Sequence, residues 1–206
     1  MTLIFSFLFA ITILTLTPGF DTALVLRSAA AQGWKRASAT ALGVTMGCLV
    51  WGVAVGLGLG ALLLASEMAY NLLKWVGAAY LLYLGVKLLL NPRTQVEESQ
   101  SVQGKEQSYF ACFSRGLFGN LLNPKVGVFY VTFLPQFIPA GASVALWCTL
   151  MALTHMLIGL VWNAVLIGGS QYFAAHLRRP TVLKVMDRLT GCVFIGFAAK
   201  LALSRR

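Results

Sequence analysis

A Pro-Gly pair followed by an aspartate lies inside a long apolar stretch near the start of the chain, in the run Thr17-Pro18-Gly19-Phe20-Asp21. Proline lacks the amide hydrogen that an interior helical position donates, so a helix through this stretch should break or kink at Pro18. Broken backbone at membrane depth is tolerated only where it is buried in protein or lines a polar cavity. A carboxylate at that depth is costly, which makes Asp21 a candidate functional group. A simple kink with Asp21 as a helix cap is the alternative.

A second proline break is predicted at Asn123-Pro124-Lys125, inside another apolar stretch. If the two broken helices meet, they bring one carboxylate, from Asp21, and one ammonium, from Lys125, to the same cavity. Such a pair suits a zwitterion, because Lys125 and freed amides could hold its carboxylate while Asp21 and freed carbonyls hold its ammonium. The alternative is that Asp21 and Lys125 pair with each other or extend to the membrane surfaces. The predicted substrate-binding residues at the two breaks are Pro18, Gly19, Asp21, Asn123, Pro124 and Lys125.

Two further polar residues, His155 and Asn163, lie in a later apolar stretch. Asn163 could donate hydrogen bonds to a substrate or bridge two helices. Histidine is the side chain that titrates near neutrality, so proton coupling is predicted at Asp21 and His155, with a satisfied core histidine as the alternative. Asp21 is expected to be the only acidic residue inside the apolar segments.

The composition is that of an integral membrane protein built from helices. Hydrophobic residues make up 58% of the 206 residues, charged residues make up 11%, and the mean hydropathy is +0.78. The apolar runs approach the roughly 20 residues that a spanning helix needs, and they lack the alternation of an outer-membrane barrel. We predict an all-α protein whose first and fourth transmembrane helices are broken at Pro18 and Pro124. The six predicted helices cover about residues 3–26, 38–65, 72–90, 114–134, 144–169 and 183–203.

The chain divides into two similar halves around a polar segment. Residues 91–112 are rich in Gln, Ser and Glu and are predicted to be a cytoplasmic linker between a first three-helix repeat, 1–90, and a second, 113–206. Because each repeat has three helices, the halves must lie in the membrane with opposite orientation, which is typical of secondary transporters. The matching positions are Thr17-Pro18 with Asn123-Pro124, Leu49-Val50-Trp51 with Leu160-Val161-Trp162, and Gly77, Tyr80 and Tyr83 with Gly191, Phe194 and Phe197.

Basic residues outnumber acidic ones, giving a net charge of +10, and they concentrate between helices 1 and 2, 3 and 4, and 5 and 6. By the positive-inside rule these odd-to-even loops are cytoplasmic and both termini lie outside. Lys200, Arg205 and Arg206, near the C-terminus, argue against this orientation. The basic residues form no continuous patch with interleaved aromatics, so a nucleic acid is not an expected partner.

Several classes of site have no matching motif in this sequence. The four cysteines, among them Cys112 in the predicted linker, show no CxxC spacing and no neighbouring histidine, so no disulfide framework, metal site or cofactor is predicted. No HExxH, Walker or nucleophile-elbow pattern indicates an enzyme. A small-residue stripe that includes Gly43 and Gly47 would let another helix approach closely, and it would permit a homodimer without requiring one.

Four runs of the chain resemble the LysE/RhtB family of amino-acid exporters, and the likeness covers nearly everything but the linker. They are 17–21, the Gly43 to Gly47 stripe with Trp51, the run 77–85 and the run 119–125. The resemblance implies a bacterial inner-membrane exporter of amino acids or derivatives such as homoserine, threonine, leucine or lysine, driven by proton antiport. The family's first motif reads Pro-Gly-Pro-Asp, and here Phe20 replaces the second proline.

Two other classes of function stay open beside amino-acid export. In an exporter of cations or metal ions, Asp21 and backbone carbonyls would bind the ion, although Lys125 would oppose it electrostatically. A non-transporting scaffold or membrane enzyme would need a motif that the loops do not carry. For the exporter, we expect alternating access by one three-helix unit moving against the other, with protonation of Asp21 linked to substrate release.

Overall fold

The protein is all-α in the part of the chain that the computed structural model describes, which is residues 2–65, 67–92, 107–139, 141–170, 172 and 179–203. Those ranges contain no strand, in agreement with the predicted helical class. The helices are α1 (Thr2–Leu16), α2 (Phe20–Ala65), α3 (Glu67–Leu90), α4 (Tyr109–Leu121), α5 (Pro124–Phe133), α6 (Val144–Gly168) and α7 (Pro180–Leu203), and a 3-10 turn, Leu134–Phe137, follows α5.

Both proline segments singled out in the sequence lie between helices. Residues 17–19 separate α1 from α2, and the two-residue stretch 122–123 separates α4 from α5. Asn123 caps α5, because its side-chain oxygen accepts a hydrogen bond from the Lys125 amide at 3.1 Å. Pro124 is the first residue of α5, a position where the missing amide hydrogen breaks no helical bond.

The connection expected after the first helix is itself helical. The sequence suggests a loop carrying Arg27, Lys35 and Arg36, yet α2 runs through all three, and only Gly33 has non-helical backbone angles, with φ 79° and ψ 171°. A straight helix of 46 residues would be about 69 Å long, more than twice the hydrocarbon thickness of a bilayer. The left-handed φ of Gly33, which favours glycine, therefore makes a corner that divides α2 into 20–32 and 34–65.

The end of the predicted linker also differs from the structure. Residues 93–106 lie outside the described residues, but α4 already begins at Tyr109 rather than near 114. Ser108 is its N-cap, with the side-chain oxygen accepting from the Ala111 amide at 3.1 Å. Next to it, the Arg36 side chain donates to the Gln107 carbonyl at 2.7 Å and fastens the start of α4 to the corner of α2.

Glycines bring the helices into close contact. The Gly43 face of α2 lies directly on the backbone of α4, so that a Cβ added there would overlap the Phe113 carbonyl oxygen. Gly116 of α4 lies equally close to the Thr40 carbonyl oxygen. The small-residue stripe is therefore occupied by helices of the same chain, and it provides no argument for a dimer.

The interior and the exterior of the helical assembly are both apolar. A buried cluster of Ile11, Leu81, Phe129 and Phe133 joins α1, α3 and α5, while large apolar side chains such as Leu57 are exposed. By length and composition, Phe20–Gly58 and Val144–Gly168 could cross a membrane, and Leu3–Leu16 and Ala78–Leu90 are shorter apolar helices. An apolar surface of this extent suits a lipid environment better than water.

The Gly43 contact leads to a first prediction. Gly43→Ala should lower the free energy of unfolding by about 1–3 kcal/mol, because α2 and α4 must separate to admit the methyl group. The matched control is Gly58→Ala, where an added Cβ meets nothing within 4 Å. It should be neutral or slightly stabilising. Thermal unfolding in detergent micelles measures both, and equal midpoints for the two variants would contradict the close approach.

Candidate functional site

The two breaks enclose a cavity of about 70 Å³ between α1, α2, α5 and α6. Six of the sequence-predicted residues line it, namely Gly19, Asp21, Asn123, Lys125, His155 and Asn163. Pro18 is buried within the first break, and Pro124 begins α5. The structure thus brings the carboxylate and the ammonium of the two breaks to one place.

The Lys125 ammonium lies at the C-terminal end of α1. Its Nζ donates to the Thr17 carbonyl at 3.2 Å and to the Leu14 carbonyl at 3.4 Å. Carbonyls at the end of a helix have no intrahelical partner and carry the negative end of the helix dipole. Lys125 therefore points into the protein rather than to a membrane surface, and it supplies the cap that α1 lacks in its own sequence.

Asp21 lies in the first turn of α2, where the helix dipole favours a negative charge. Its Oδ2 accepts a hydrogen bond from Nδ2 of Asn120 at 2.8 Å. Its Oδ1 is buried and accepts no hydrogen bond within the described residues, although Asn123 and Lys125 lie near enough to act on the carboxylate. The carboxylate thus has acceptor capacity at Oδ1 that no hydrogen bond within the described residues uses.

Asn120 contacts the candidate site through Asp21, and its part was not predicted from the sequence. Its side chain is 0% exposed, and besides the bond to Asp21 its amide nitrogen lies 3.5 Å from Sγ of Cys48. The signal was present in the sequence, because Cys112, Gly116 and Asn120 repeat at the four-residue spacing of one helix face, and all three are buried. A polar residue on that face needs a polar partner from another helix.

His155 is paired with Tyr130, a second residue that the sequence did not indicate. The Tyr130 hydroxyl and His155 Nδ1 are 2.8 Å apart, and their rings stack with centroids 5.7 Å apart. Tyr130 is 0% exposed and His155 6%. His155 also lines the cavity, so its hydrogen bond to Tyr130 connects the cavity wall to the buried core of α5.

The first break is fastened to the last helix as well. The hydroxyl oxygens of Thr17 and Thr190 lie 2.6 Å apart, and both side chains are buried. Each also lies within hydrogen-bond distance of a carbonyl one turn earlier in its own chain segment. The end of α1 is therefore held from α5 by Lys125 and from α7 by Thr190.

One expectation about acidic residues is wrong. Asp187 lies inside α7 and is 0% exposed, so Asp21 is not the only acidic residue within the helices. The predicted sixth helix, 183–203, already contained Asp187 between Lys184 and Arg188, and the structure places all three in the first turns of α7.

A second, larger cavity of about 520 Å³ adjoins the first. Thr17, Gly19, Asn123 and Lys125 line both cavities. The larger one extends along α3 as far as Lys87 and Asn91, at the end of that helix that leads into 93–106. Its aromatic lining residues are Phe20, Tyr80, Tyr83 and Phe194.

This arrangement of a charged site at two helix breaks accords with the comparison of the sequence with family models. The model of the LysE type translocator matches residues 12–205. The chain belongs to the LysE family of translocators. The resemblance found in the sequence is thereby confirmed, and the protein is a membrane-embedded transporter rather than an enzyme.

Similar proteins come from several bacteria. The chain is 34% identical to a leucine efflux protein of Klebsiella pneumoniae, over 91% of this chain and 88% of the relative. It is 30% identical to a homoserine/homoserine lactone efflux protein of Salmonella typhi, over 98% of this chain and 96% of the relative. It is also 30% identical to the uncharacterized membrane protein YrhP of Bacillus subtilis, over 93% of this chain and 94% of the relative. No solved structure matches the chain.

The contact between Asn120 and Asp21 gives a second prediction. Asn120→Leu keeps the volume of the side chain but removes a hydrogen bond to a charged group, which should cost about 1.5–3 kcal/mol of unfolding free energy. The control is Asn71→Leu at an exposed position of α3, expected to stay within about 0.5 kcal/mol of wild type. Unfolding midpoints in detergent check both. A wild-type midpoint for Asn120→Leu would show that the bond contributes nothing.

Proposed function

We propose that this LysE-family protein exports amino acids or close derivatives from the bacterial cytoplasm, holding the zwitterionic part of the substrate between its two helix breaks. The observation that carries the proposal is the meeting of the breaks, with Lys125 Nζ 3.2 Å from the Thr17 carbonyl and Asp21 in one cavity with it. The names of the relatives support it, since they describe efflux of leucine and of homoserine or its lactone.

Each charged group of an amino acid finds a complementary partner in this cavity. The substrate carboxylate would bind the Lys125 ammonium and the amides at the start of α2 and α5, where helix dipoles favour an anion. The substrate ammonium would bind Oδ1 of Asp21 and the carbonyls at the end of α1 that accept hydrogen bonds from Lys125. Asn163, which is buried and lines the cavity, would contribute hydrogen bonds.

The architecture that we propose is six transmembrane spans arranged as two inverted repeats. The spans are α1 with 20–32, then 34–65, α3, α4 with α5, α6, and α7. In support, α3 and α7 occupy matching places in the two halves and approach each other reciprocally. A Cβ added at Gly85 would lie 2.8 Å from the Gly191 carbonyl oxygen, and one added at Gly191 would lie 2.8 Å from the Gly85 oxygen.

We further propose that the larger cavity is the cytoplasmic entrance. It extends toward the end of α3, where the polar linker begins, and the basic residues of the odd-to-even loops favour a cytoplasmic location for that end. Both termini would then lie outside, with the protein in the inner membrane. Substrate would enter beside α3, reach the breaks, and leave when the two halves move relative to each other.

Proton antiport follows from the competition of two cations for one carboxylate. Asp21 can bind either a proton or the substrate ammonium, so binding a proton from outside would release substrate. His155, in contact with Tyr130 and facing the same cavity, would pass the proton onward. The alternative of a cation exporter has no support from the relatives. Within the described residues, no group of three or more His, Cys, Asp or Glu side chains could hold a metal ion.

The third prediction tests this function with inside-out vesicles and a panel of labelled amino acids. Wild type should accumulate one or a few of them when a proton gradient is imposed, whereas Asp21→Asn and Lys125→Ala should reduce accumulation at least about tenfold, the effect of losing about 1.4 kcal/mol of interaction. Glu67→Gln, which removes a carboxylate at the start of α3, is the charge-matched control and should transport normally.

Two results would oppose the proposal in different ways. Normal transport by Asp21→Asn or Lys125→Ala would refute the zwitterion site. Transport that continues unchanged when a protonophore collapses the gradient would refute proton coupling while leaving the substrate class intact.

The fourth prediction concerns orientation. A cysteine placed in the linker by Ser99→Cys should resist a membrane-impermeant maleimide in intact cells and react after permeabilisation. A cysteine placed by Ala142→Cys, in the turn before α6, should react in intact cells. The reverse pattern would place the linker and the termini on the opposite sides.

A further inference from the structure

The two cavities differ in what they can hold. A bound water needs about 10–15 Å³ of such volume, so the smaller cavity of about 70 Å³ accommodates a few waters or one small charged group. The larger cavity of about 520 Å³ falls within the roughly 300–1,000 Å³ typical of ligand pockets. Because Gly19 and Lys125 line both, a substrate bound there by its charged groups has room for its side chain only in the larger cavity.

The wall of the larger cavity nearest the breaks is aromatic. Phe20, the first residue of α2, directs its ring at Gly119 of α4, where an added Cβ would lie 3.1 Å from a ring carbon of Phe20. Phe194 of α7 and Tyr80 of α3 contribute further aromatic rings to the lining.

The charges around the larger cavity have one sign. Lys87 and Lys125 are basic, and none of the described residues that line it is acidic. A cationic side chain there would therefore face two ammonium groups, while the neighbouring carboxylate, Asp21, lines only the smaller cavity. Like charges at this distance repel each other. A short hydroxylated side chain would leave most of the aromatic surface uncovered.

We infer that the larger cavity is the side-chain pocket of the transporter, that it selects neutral amino acids with large apolar side chains over lysine-like and short hydroxylated ones, and that Phe20 is the main specificity-determining residue. The inference rests on the proposed function, because it assumes that the amino and carboxyl groups bind at the breaks. It narrows the substrate class from amino acids in general to those of the leucine, methionine and phenylalanine type.

The test measures competition in the same vesicles, as the concentration of each unlabelled amino acid that halves transport. For wild type, leucine, methionine or phenylalanine should compete at concentrations at least about tenfold lower than homoserine, threonine or lysine. Phe20→Ala should raise the leucine concentration that halves transport about tenfold, a typical effect of losing apolar contact in a specificity pocket. The homoserine value should change less than about twofold, since its side chain is too short to cover the ring.

The matched control is Phe118→Ala, the neighbour of Gly119 on α4, whose side chain is exposed and is absent from the described lining of either cavity. It should leave the ranking unchanged. If Phe20→Ala fails to assemble, the wild-type ranking still decides, and Phe20→Leu, which keeps an apolar wall, should retain the preference for leucine.

The outcomes separate the two levels of the argument. If wild type transports no amino acid, the proposed function fails and the pocket with it. If it transports amino acids but prefers lysine, homoserine or an acidic amino acid, or if Phe20→Ala weakens leucine and homoserine equally, only the pocket assignment is overturned.

Discussion

The hydrogen bonds from the Lys125 ammonium to the carbonyls of Leu14 and Thr17 are the interaction on which the rest of the structure depends. A helix that ends inside a membrane leaves carbonyl groups that water cannot reach, and each unsatisfied group costs several kcal/mol. The groups that meet this constraint come from residues 99 to 173 positions away in the sequence. Lys125 serves the end of α1, Asn120 serves the carboxylate at the start of α2, and Thr190 lies against the Thr17 hydroxyl. The end of α1 and the start of α2 are therefore held by side chains from distant parts of the chain.

Helix packing and the site are two aspects of the same arrangement. Asn120 reaches Asp21 only because α4 lies directly on α2, and this approach requires glycine at Gly43 and Gly116. The corner at Gly33 divides α2 into 20–32, which carries Asp21, and 34–65, which carries Gly43. Both parts can therefore pack against the other helices.

The two cavities share four lining residues, and they extend from these residues toward different parts of the protein. The charged groups lie at the boundary, the smaller cavity faces the His155 pair, and the larger one leads past aromatic rings to the end of α3. The residues that we propose for charge recognition, side-chain selection and substrate entry therefore lie next to one another. In ligand pockets generally, a few polar groups fix the orientation of the ligand and the apolar surface contributes selectivity.

The sequence by itself determined the helical membrane class, which follows from composition, and the family, which its motifs resemble. It also drew attention to Pro18 and Pro124, because a proline lacks the amide that an interior helical position donates. It also identified Asp21 and Lys125, since a charge in an apolar run is conspicuous without any knowledge of its neighbours. Only the tertiary structure decided which groups these charges meet. The partners Asn120 and Tyr130 lie far away in sequence, and Asp187 was hidden among basic neighbours. The helical path through Arg27 and Lys35 was likewise decided there, because backbone continuity depends on packing as well as on local charge.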